Sequence, residues 1–237
     1  MEQLSDYIKK EKIKRVLDIG TGSGQFVKTL LSVFPGIKEI IAIDPVEDPF
    51  KENGMEFQGK NVTFLKMGAE KLDFQDESFD LVSISDALHH LPQLEQSLHE
   101  MKRVVKPEGW IIISELVSDN LNPAQQNQKF FHHLKSYTAR LTGNFHHKTW
   151  KKQEILDIAT NNGIKIEVYF EYSNNKSLIT ESKDIDFWVG RLKIFIDEVK
   201  GLPEYAELLP KVAEFRQRIE KDGMQHATNV VIAGRKI

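Results

Sequence analysis

Residues Val16 to Gly24, with the sequence VLDIGTGSG, constrain the fold of this chain more than any other segment. An apolar run of strand length passes directly into three glycines, at positions 20, 22 and 24. Glycine lacks a Cβ, so the backbone can turn sharply there and a ligand can lie directly against it. Between Gln25 and Phe34 the apolar residues recur at helical spacing. Strand, glycine loop and helix predict the first unit of a doubly wound α/β fold, which binds ligands at the carboxyl ends of its strands.

The spacing of these glycines restricts the class of ligand. A dinucleotide-binding fingerprint has the spacing GxGxxG, and its third glycine lets the helix pack on the strand beside the pyrophosphate. Gln25 occupies that third position here, and Asp18 lies two positions before the first glycine. The pattern therefore favours a ligand that has no pyrophosphate but carries an ammonium group to be held near a carboxylate. A strand-to-helix turn that needs glycines for its backbone alone is the competing interpretation.

A second apolar run, Ile40 to Ile43, ends in Asp44, and Pro45 follows it. A continuous apolar run is expected for a strand that is buried on both faces. A carboxylate at the tip of the second strand, about 20 residues past the glycines, can accept hydrogen bonds from both hydroxyls of a ribose. Pro45 turns the chain out of the strand and would hold that carboxylate in place. A helix N-cap is the other role open to Asp44.

Together with three further segments, these two motifs resemble the class I S-adenosylmethionine-dependent methyltransferases, especially the ubiquinone and menaquinone biosynthesis branch. The resemblance covers roughly the first half of the chain, and the five segments occur in the family's order. Five motifs in sequence are far more specific than any one of them. The segments are VLDIGTGSG, AIDP (Ala42–Pro45), GAEKLDF (Gly68–Phe74), FDLVSISDALHHLP (Phe79–Pro92) and LHEMKRVVKPEGWIIISE (Leu98–Glu115).

The resemblance implies a role for each matched position, with S-adenosyl-L-methionine as the cofactor. Asp18 would orient the methionine ammonium, and Asp44 would hold the ribose. The family usually has an aspartate that recognises the adenine amino group, but this chain has Gly68 there, so recognition would fall to Ala69 or Glu70. The cofactor-binding residues predicted in this way are Asp18, Gly20, Thr21, Gly22, Asp44, Pro45, Gly68, Ala69, Glu70 and Ser85.

The same resemblance implies an α/β fold: a doubly wound, Rossmann-like sheet of seven strands, with the last strand antiparallel and with helical insertions. At 237 residues, a single methyltransferase domain covering residues 1–237 is the natural count. The inserted segments are expected at about 118–148 and 183–222. In the second segment, apolar residues fall on two helical faces joined near Gly201. Such insertions are interpreted either as a lid that selects the substrate or as a homodimer interface.

Composition limits the chemistry and the partners. The chain has no cysteine, which excludes disulfides, a cysteine nucleophile and zinc-binding cysteines. The net charge of −3 gives no electrostatic footprint for nucleic acid. The N-terminus lacks the apolar core of a signal peptide and no apolar run reaches membrane-spanning length, so we expect a cytoplasmic protein without membrane insertion. We expect a small-molecule acceptor, because the motifs of DNA base and arginine methyltransferases are not found.

The expected reaction is an in-line displacement at an activated sulfonium methyl, in which the enzyme mainly aligns acceptor and methyl. An acceptor that must also lose a proton needs a base, for which Asp86, His89 and His146 are the candidates. Capping or packing is the competing role for the histidines. No metal site is predicted, because the adjacent His132 and His133 would diverge by about 100° on a helix. Aminopropyl transfer and a non-catalytic S-adenosylmethionine-binding or assembly module remain the alternative functions.

Overall fold

The computed structural model of the chain contains a seven-stranded sheet, and it describes residues 2–8, 13–46, 57, 59–173 and 177–237. The sheet order is β3-β2-β1-β4-β5-β7-β6, with the strands numbered along the chain. The strands are β1 (Arg15–Ile19), β2 (Glu39–Asp44), β3 (Val62–Lys66), β4 (Phe79–Ser85), β5 (Val105–Leu116), β6 (Ile164–Tyr172) and β7 (Asn229–Lys236).

The direction of the strands confirms the predicted fold class. β1 pairs in parallel with β2 and β4, β2 pairs in parallel with β3, and β4 pairs in parallel with β5. The last strand is antiparallel. The chain order reverses between β1 and β4, and open α/β sheets bind ligands beyond the carboxyl ends of the strands at such a reversal. In this register Asp18 lies between Ala42 of β2 and Ser83 of β4.

Helices lie between several of the strands in the order of the chain. The described residues contain no helix that is long and apolar enough to cross a membrane. The helix and strand boundaries follow the predicted ones closely where the sequence has a clear apolar period, as at the helix predicted from Gln25. The helices are α1 (Glu2–Ile8), α2 (Gln25–Val33), α3 (Leu94–Val104), α4 (Pro123–Leu141), α5 (Lys152–Asn161), α6 (Ser182–Asp197), α7 (Tyr205–Leu208) and α8 (Pro210–Asp222).

The residues of the chain form two compact units. The sheet unit consists of Met1–Glu115, Gln153–Tyr172 and Val230–Ile237, and the helical unit consists of Leu116–Lys152 and Ser173–Asn229. Both segments predicted as insertions, 118–148 and 183–222, lie within the helical unit. The assignment of residues 1–237 to a single domain stays a prediction.

Each unit has its own apolar core. In the sheet unit, residues of the strands pack with α1 and α2 around fully buried side chains such as Leu4 and Leu30. In the helical unit, α4, α6 and α8 pack around Phe131, Leu192 and Phe215, and the rings of Phe131 and Phe215 lie 5.6 Å apart. Of the two helices predicted within 183–222, the first corresponds to α6, and the second is divided before Pro210 into α7 and α8.

Candidate functional site

The glycine loop follows β1 and turns directly into α2. Gly20, Gly22 and Gly24 have φ angles of +64°, +49° and +79°, the left-handed region that glycine adopts without steric cost. A Cβ on Gly20 would lie 2.4 Å from the Cβ of Ala87, so a side chain at position 20 would clash with the segment that follows β4. A Cβ on Gly22 would meet no described atom within 4 Å. A ligand can therefore lie against the backbone of Gly22.

Asp18 is a buried carboxylate beside this loop. Asp18 is only 1% exposed, and its Oδ1 accepts a hydrogen bond of 2.7 Å from the Ser83 hydroxyl. Its Oδ2 and the Oγ1 of Thr21 are buried, and neither meets a partner in hydrogen-bond geometry among the described residues. Burial raises the pKa of Asp18 to about 6, against the opposing effects of the Ser83 and Thr21 hydroxyls. The unsatisfied Oδ2 is suited to a cationic donor.

Asp44 links the glycine loop to the end of β2. Its Oδ2 accepts a hydrogen bond of 3.0 Å from the amide of Gly22, and its Oδ1 accepts one of 3.0 Å from the amide of Val46. The amide of Thr21 also donates to the carbonyl oxygen of Ile43, at 3.1 Å. The carboxylate thus lies at the carboxyl edge of the sheet next to the loop, with Pro45 directly after it.

The segment from residue 68 to residue 72 follows β3, and an ion pair of α3 holds its end at Leu72. Glu100 accepts a hydrogen bond of 2.8 Å from the amide of Leu72, and Arg103 donates to the carbonyl oxygen of the same residue at 2.8 Å. A Cβ on Gly68 would lie only 2.6 Å from Oε2 of Glu70. The Glu70 carboxylate therefore occupies the space that a side chain at position 68 would enter. A carboxylate is present at this place although residue 68 is glycine.

The residues after β4 have an unusual backbone conformation. Asp86 is exposed and has a φ of +51°, a conformation that is uncommon and costly for a residue other than glycine. Its amide donates to the carbonyl oxygen of Ser114 at 2.9 Å. Ser85 ends β4, and because β4 is parallel to β1, Ser85 and Asp86 lie at the same edge of the sheet as the glycine loop.

A buried histidine and carboxylate follow at the same strand ends. His89 lies on the 3-10 turn Leu88–His90 and is 2% exposed. Its Nδ1 lies 2.9 Å from Oε1 of Glu115, and its amide donates to Oε2 of that carboxylate at 3.3 Å. A buried carboxylate at Nδ1 fixes the ring and favours the tautomer that carries its proton there. Nε2 is then the basic nitrogen, which is the arrangement that a general base needs.

His146, the third predicted base, belongs to the helical unit, whereas Asp86 and His89 belong to the sheet unit. His146 is 2% exposed, and its Nε2 lies 3.4 Å from Nε2 of His132. Its carbonyl oxygen accepts a hydrogen bond of 2.7 Å from Arg140. These contacts give His146 a packing role within its own unit.

Two polar residues of the site were not predicted from the sequence. Ser83 holds Asp18, and Glu115 holds His89. Both lie in strands with a mainly apolar centre, in the runs FDLVSIS and WIIISEL, and both are fully buried. A polar residue inside a buried strand needs a polar partner, and this was the signal available in the sequence.

One protein family matches the part of the chain that contains this site. The family described as methyltransferase domain matches residues 17–113, which run from β1 through most of β5. Residues 17–113 are similar to this family, and they make up less than half of the chain. The matched region contains Asp18, the glycine loop, Asp44, Glu70 and His89. The predicted resemblance is confirmed over this region, and S-adenosylmethionine is the cofactor of the family.

Curated relatives match the same part of the chain. The uncharacterized methyltransferase YcgJ of Bacillus subtilis is 34% identical over 106 residues, which are 42% of this chain and 39% of that protein. The ubiquinone/menaquinone biosynthesis C-methyltransferase UbiE of Ectopseudomonas mendocina is 33% identical over 105 residues, which are 43% of this chain and 41% of that protein. The chain thus spans about two fifths of the length of these relatives.

The likeness to solved structures extends further than the likeness in sequence. The crystal structure of a Bacillus halodurans protein aligns with 100% of this chain and 99% of its own chain, with a TM-score of 0.66 and 20% identity. At this identity the likeness shows the fold alone. The residues outside 17–113 therefore share an architecture with that protein.

Proposed function

We propose that this chain binds S-adenosylmethionine at the carboxyl ends of β1 and β2 and transfers its methyl group to a small-molecule acceptor. The observation that carries the proposal is the buried Asp18, whose Oδ2 lacks a hydrogen-bond partner among the described residues. An unpaired buried carboxylate is costly, and a ligand ammonium would satisfy it. The open space beside Gly22 and the left-handed glycines supply the close backbone approach that the same ligand needs.

The residues present fit each part of this cofactor. Asp18 would accept from the methionine ammonium, and the backbone of Gly20 to Gly22 would line the amino-acid moiety. Asp44 lies at the tip of the second strand, where its carboxylate would accept from the ribose hydroxyls. Glu70 would take the adenine, because its carboxylate fills the place that the glycine at position 68 leaves open. A dinucleotide is disfavoured, because a buried carboxylate beside the loop would repel a pyrophosphate.

When bound, S-adenosylmethionine supplies a sulfonium methyl that is ready for in-line displacement. The chain's part is to align an acceptor with it, and such alignment can contribute about 7 to 11 kcal/mol. Ser85 and the strained Asp86 lie at the strand end where the acceptor would approach. For an acceptor that loses a proton, we assign the base to His89, because Glu115 fixes its ring.

Calorimetry with purified protein tests the cofactor. We expect S-adenosylmethionine and S-adenosylhomocysteine to bind and NAD not to bind. Binding of NAD alone would contradict the proposal. Methyl transfer is tested separately with labelled S-adenosylmethionine and a panel of small acceptors. Carbon acceptors come first in the panel, since one relative is a ubiquinone/menaquinone biosynthesis C-methyltransferase. Cofactor binding without turnover on any acceptor would favour a non-catalytic module.

A further inference from the structure

The helical unit contains a cavity of its own, with a volume of about 450 Å³. Helices α4 and α8 line it together with Lys148 from the segment after α4. Among the described residues that line it, five carry a positive charge and none carries a negative one. The five are Lys129, Arg140, Lys148, Lys211 and Arg218. The whole chain has a net charge of −3, so this concentration of positive charge is a local feature.

Three of the five cations are fixed in position by neutral groups. Lys129 and Arg140 donate to backbone carbonyl oxygens at 2.8 and 2.7 Å. Arg218 donates from Nε to the side-chain oxygen of Asn127 at 3.0 Å. Neutral acceptors hold a cation in place without cancelling its charge. An arginine also keeps further N–H donors for another partner when one of them is used in this way.

Among the ion pairs of the described residues, one carboxylate contacts the cations of the cavity. Glu214 is 2.8 Å from Nζ of Lys211 and 3.8 Å from Arg218. Five positive charges less this one negative charge leave a local excess of four. Cations that converge without counter-charges repel one another, and a bound anion would relieve this repulsion. The charge pattern therefore points to an anionic ligand.

The cavity also has an apolar wall. Phe130, Leu134 and Tyr137 line it from one face of α4. The guanidinium of Arg218 lies 4.8 Å from the ring centre of Phe130, and that of Arg140 lies 5.8 Å from the ring centre of Tyr137. Cation and ring are thus presented side by side, as in sites that bind both the head and the body of a ligand.

His133 also lines the cavity and adds no positive charge at neutral pH. Burial, together with the charges of Lys129, Lys148 and Arg140, lowers the pKa of His133 to about 4. Its Nε2 lies 2.8 Å from the hydroxyl of Thr149. A neutral imidazole in this position supplies a hydrogen-bonding group beside the cations.

We propose that this cavity is a binding site for a small amphipathic anion, in which a phosphate, sulfate or carboxylate head is attached to an aromatic or aliphatic body. The cations bind the head, and the Phe130 and Tyr137 rings contact the body. Pockets for small molecules commonly have about 300 to 1,000 Å³, and this cavity lies within that range. The site lies entirely within the helical unit, so the inference stands apart from the proposed methyl transfer.

Fluorescence titration of the full chain with 1-naphthyl phosphate tests the site in the absence of S-adenosylmethionine. We expect this probe to bind more tightly than 1-naphthol, which lacks the charge, and more tightly than inorganic phosphate, which lacks the ring. Its affinity should fall as salt rises. If 1-naphthol bound with equal affinity, the cavity would be an apolar pocket only. If inorganic phosphate bound with equal affinity, it would be an adventitious ion site only. Either result overturns the proposal.

Lys148→Glu locates the binding. Lys148 is exposed and forms no ion pair among the described residues, so its charge can be reversed without breaking a contact that supports the fold. We expect the affinity for 1-naphthyl phosphate to fall about tenfold, since one reversal replaces attraction by repulsion at short range. Lys183→Glu is the matched control, because it makes the same change at an exposed lysine of the helical unit outside the cavity. Equal affinities of the two variants would refute the site.

Discussion

Asp18→Asn should stabilise the cofactor-free protein and weaken S-adenosylmethionine binding at the same time. Burial raises the pKa of Asp18 from 3.8 to about 6. Because the pKa is higher in the folded than in the unfolded chain, the protonated group favours folding. That contribution is complete below pH 3.8 and is lost as the pH rises through about 6. At neutral pH the residue therefore destabilises the folded state as a buried carboxylate.

The size of the effect follows from the two pKa values. A difference of about two pKa units corresponds to about 3 kcal/mol at pH 7.5, since each unit is worth about 1.4 kcal/mol. The same linkage gives about half that value at pH 5 and about 0.5 kcal/mol at pH 4. Asparagine keeps the shape without the charge, and its amide can donate to the buried Oγ1 of Thr21, which lacks a partner. The stabilisation should therefore shrink steadily between pH 7.5 and pH 4.

Urea unfolding of the cofactor-free protein at pH 7.5, 5 and 4 measures the stability. Calorimetry at pH 7.5 measures the affinity for S-adenosylmethionine, which should fall about tenfold or more with the loss of a charged hydrogen bond. Asp73→Asn is the control, because it makes the same chemical change at an exposed position and should alter neither quantity. A variant that is less stable at pH 7.5 and binds the cofactor unchanged would refute the reasoning about Asp18.

Two further substitutions test the loop and the second strand. Asp44→Ala should weaken S-adenosylmethionine binding by about 1.5 to 3 kcal/mol by calorimetry, the usual cost of losing hydrogen bonds to a charged group. Unchanged affinity in the folded variant would refute the ribose assignment. Gly20→Ala should destabilise the protein by about 1 to 3 kcal/mol in urea unfolding, because its Cβ would lie 2.4 Å from that of Ala87. Gly143→Ala, which has a φ of +86° and no described atom within 4 Å of its Cβ, is the control for backbone strain alone.

The sheet and the cofactor-side residues were predictable because their signals are local. A strand that is buried on both faces reads as a short apolar run, and the glycine loop follows β1 within two residues. The position of the Asp44 carboxylate at a strand end was predicted from the same pattern, because Asp44 follows an apolar run. Each of these inferences needs only neighbours in the sequence.

A helical segment was predicted at about 118–148, but the boundaries of helix α4 within it were not, because most of its buried residues are polar. Gln125, Asn127, His132, Ser136 and Thr138 are all buried on it, and apolar residues at helical spacing begin only at Phe130, in the second half of the helix. Its start does have a signal in the sequence. Asn122 caps the helix and pairs reciprocally with Gln125 in a capping box, with proline at the first helical turn. Capping chemistry would have located this helix where hydrophobic periodicity could not.

The pairing of His89 with Glu115 needed the tertiary structure. The two residues are 26 positions apart, and they meet because β5 pairs with β4. The place of the Glu70 carboxylate beside Gly68 is also a matter of side-chain direction, which no spacing rule fixes. Sequence patterns identified the strand ends that hold these groups. They did not identify which polar side chains contact each other there.

The two proposed sites select ligands of opposite charge. S-adenosylmethionine carries two positive charges, on its sulfonium and ammonium groups, and one negative charge, on its carboxylate. Asp18 and Asp44 therefore attract it, whereas the cations around Lys148 would repel it. An amphipathic anion is attracted to the helical unit's cavity and repelled by the buried carboxylate of Asp18. Neither ligand can therefore stand in for the other in a binding measurement. Loss of 1-naphthyl phosphate binding in Lys148→Glu with unchanged S-adenosylmethionine affinity would establish the anion site on its own evidence, whatever the outcome at Asp18.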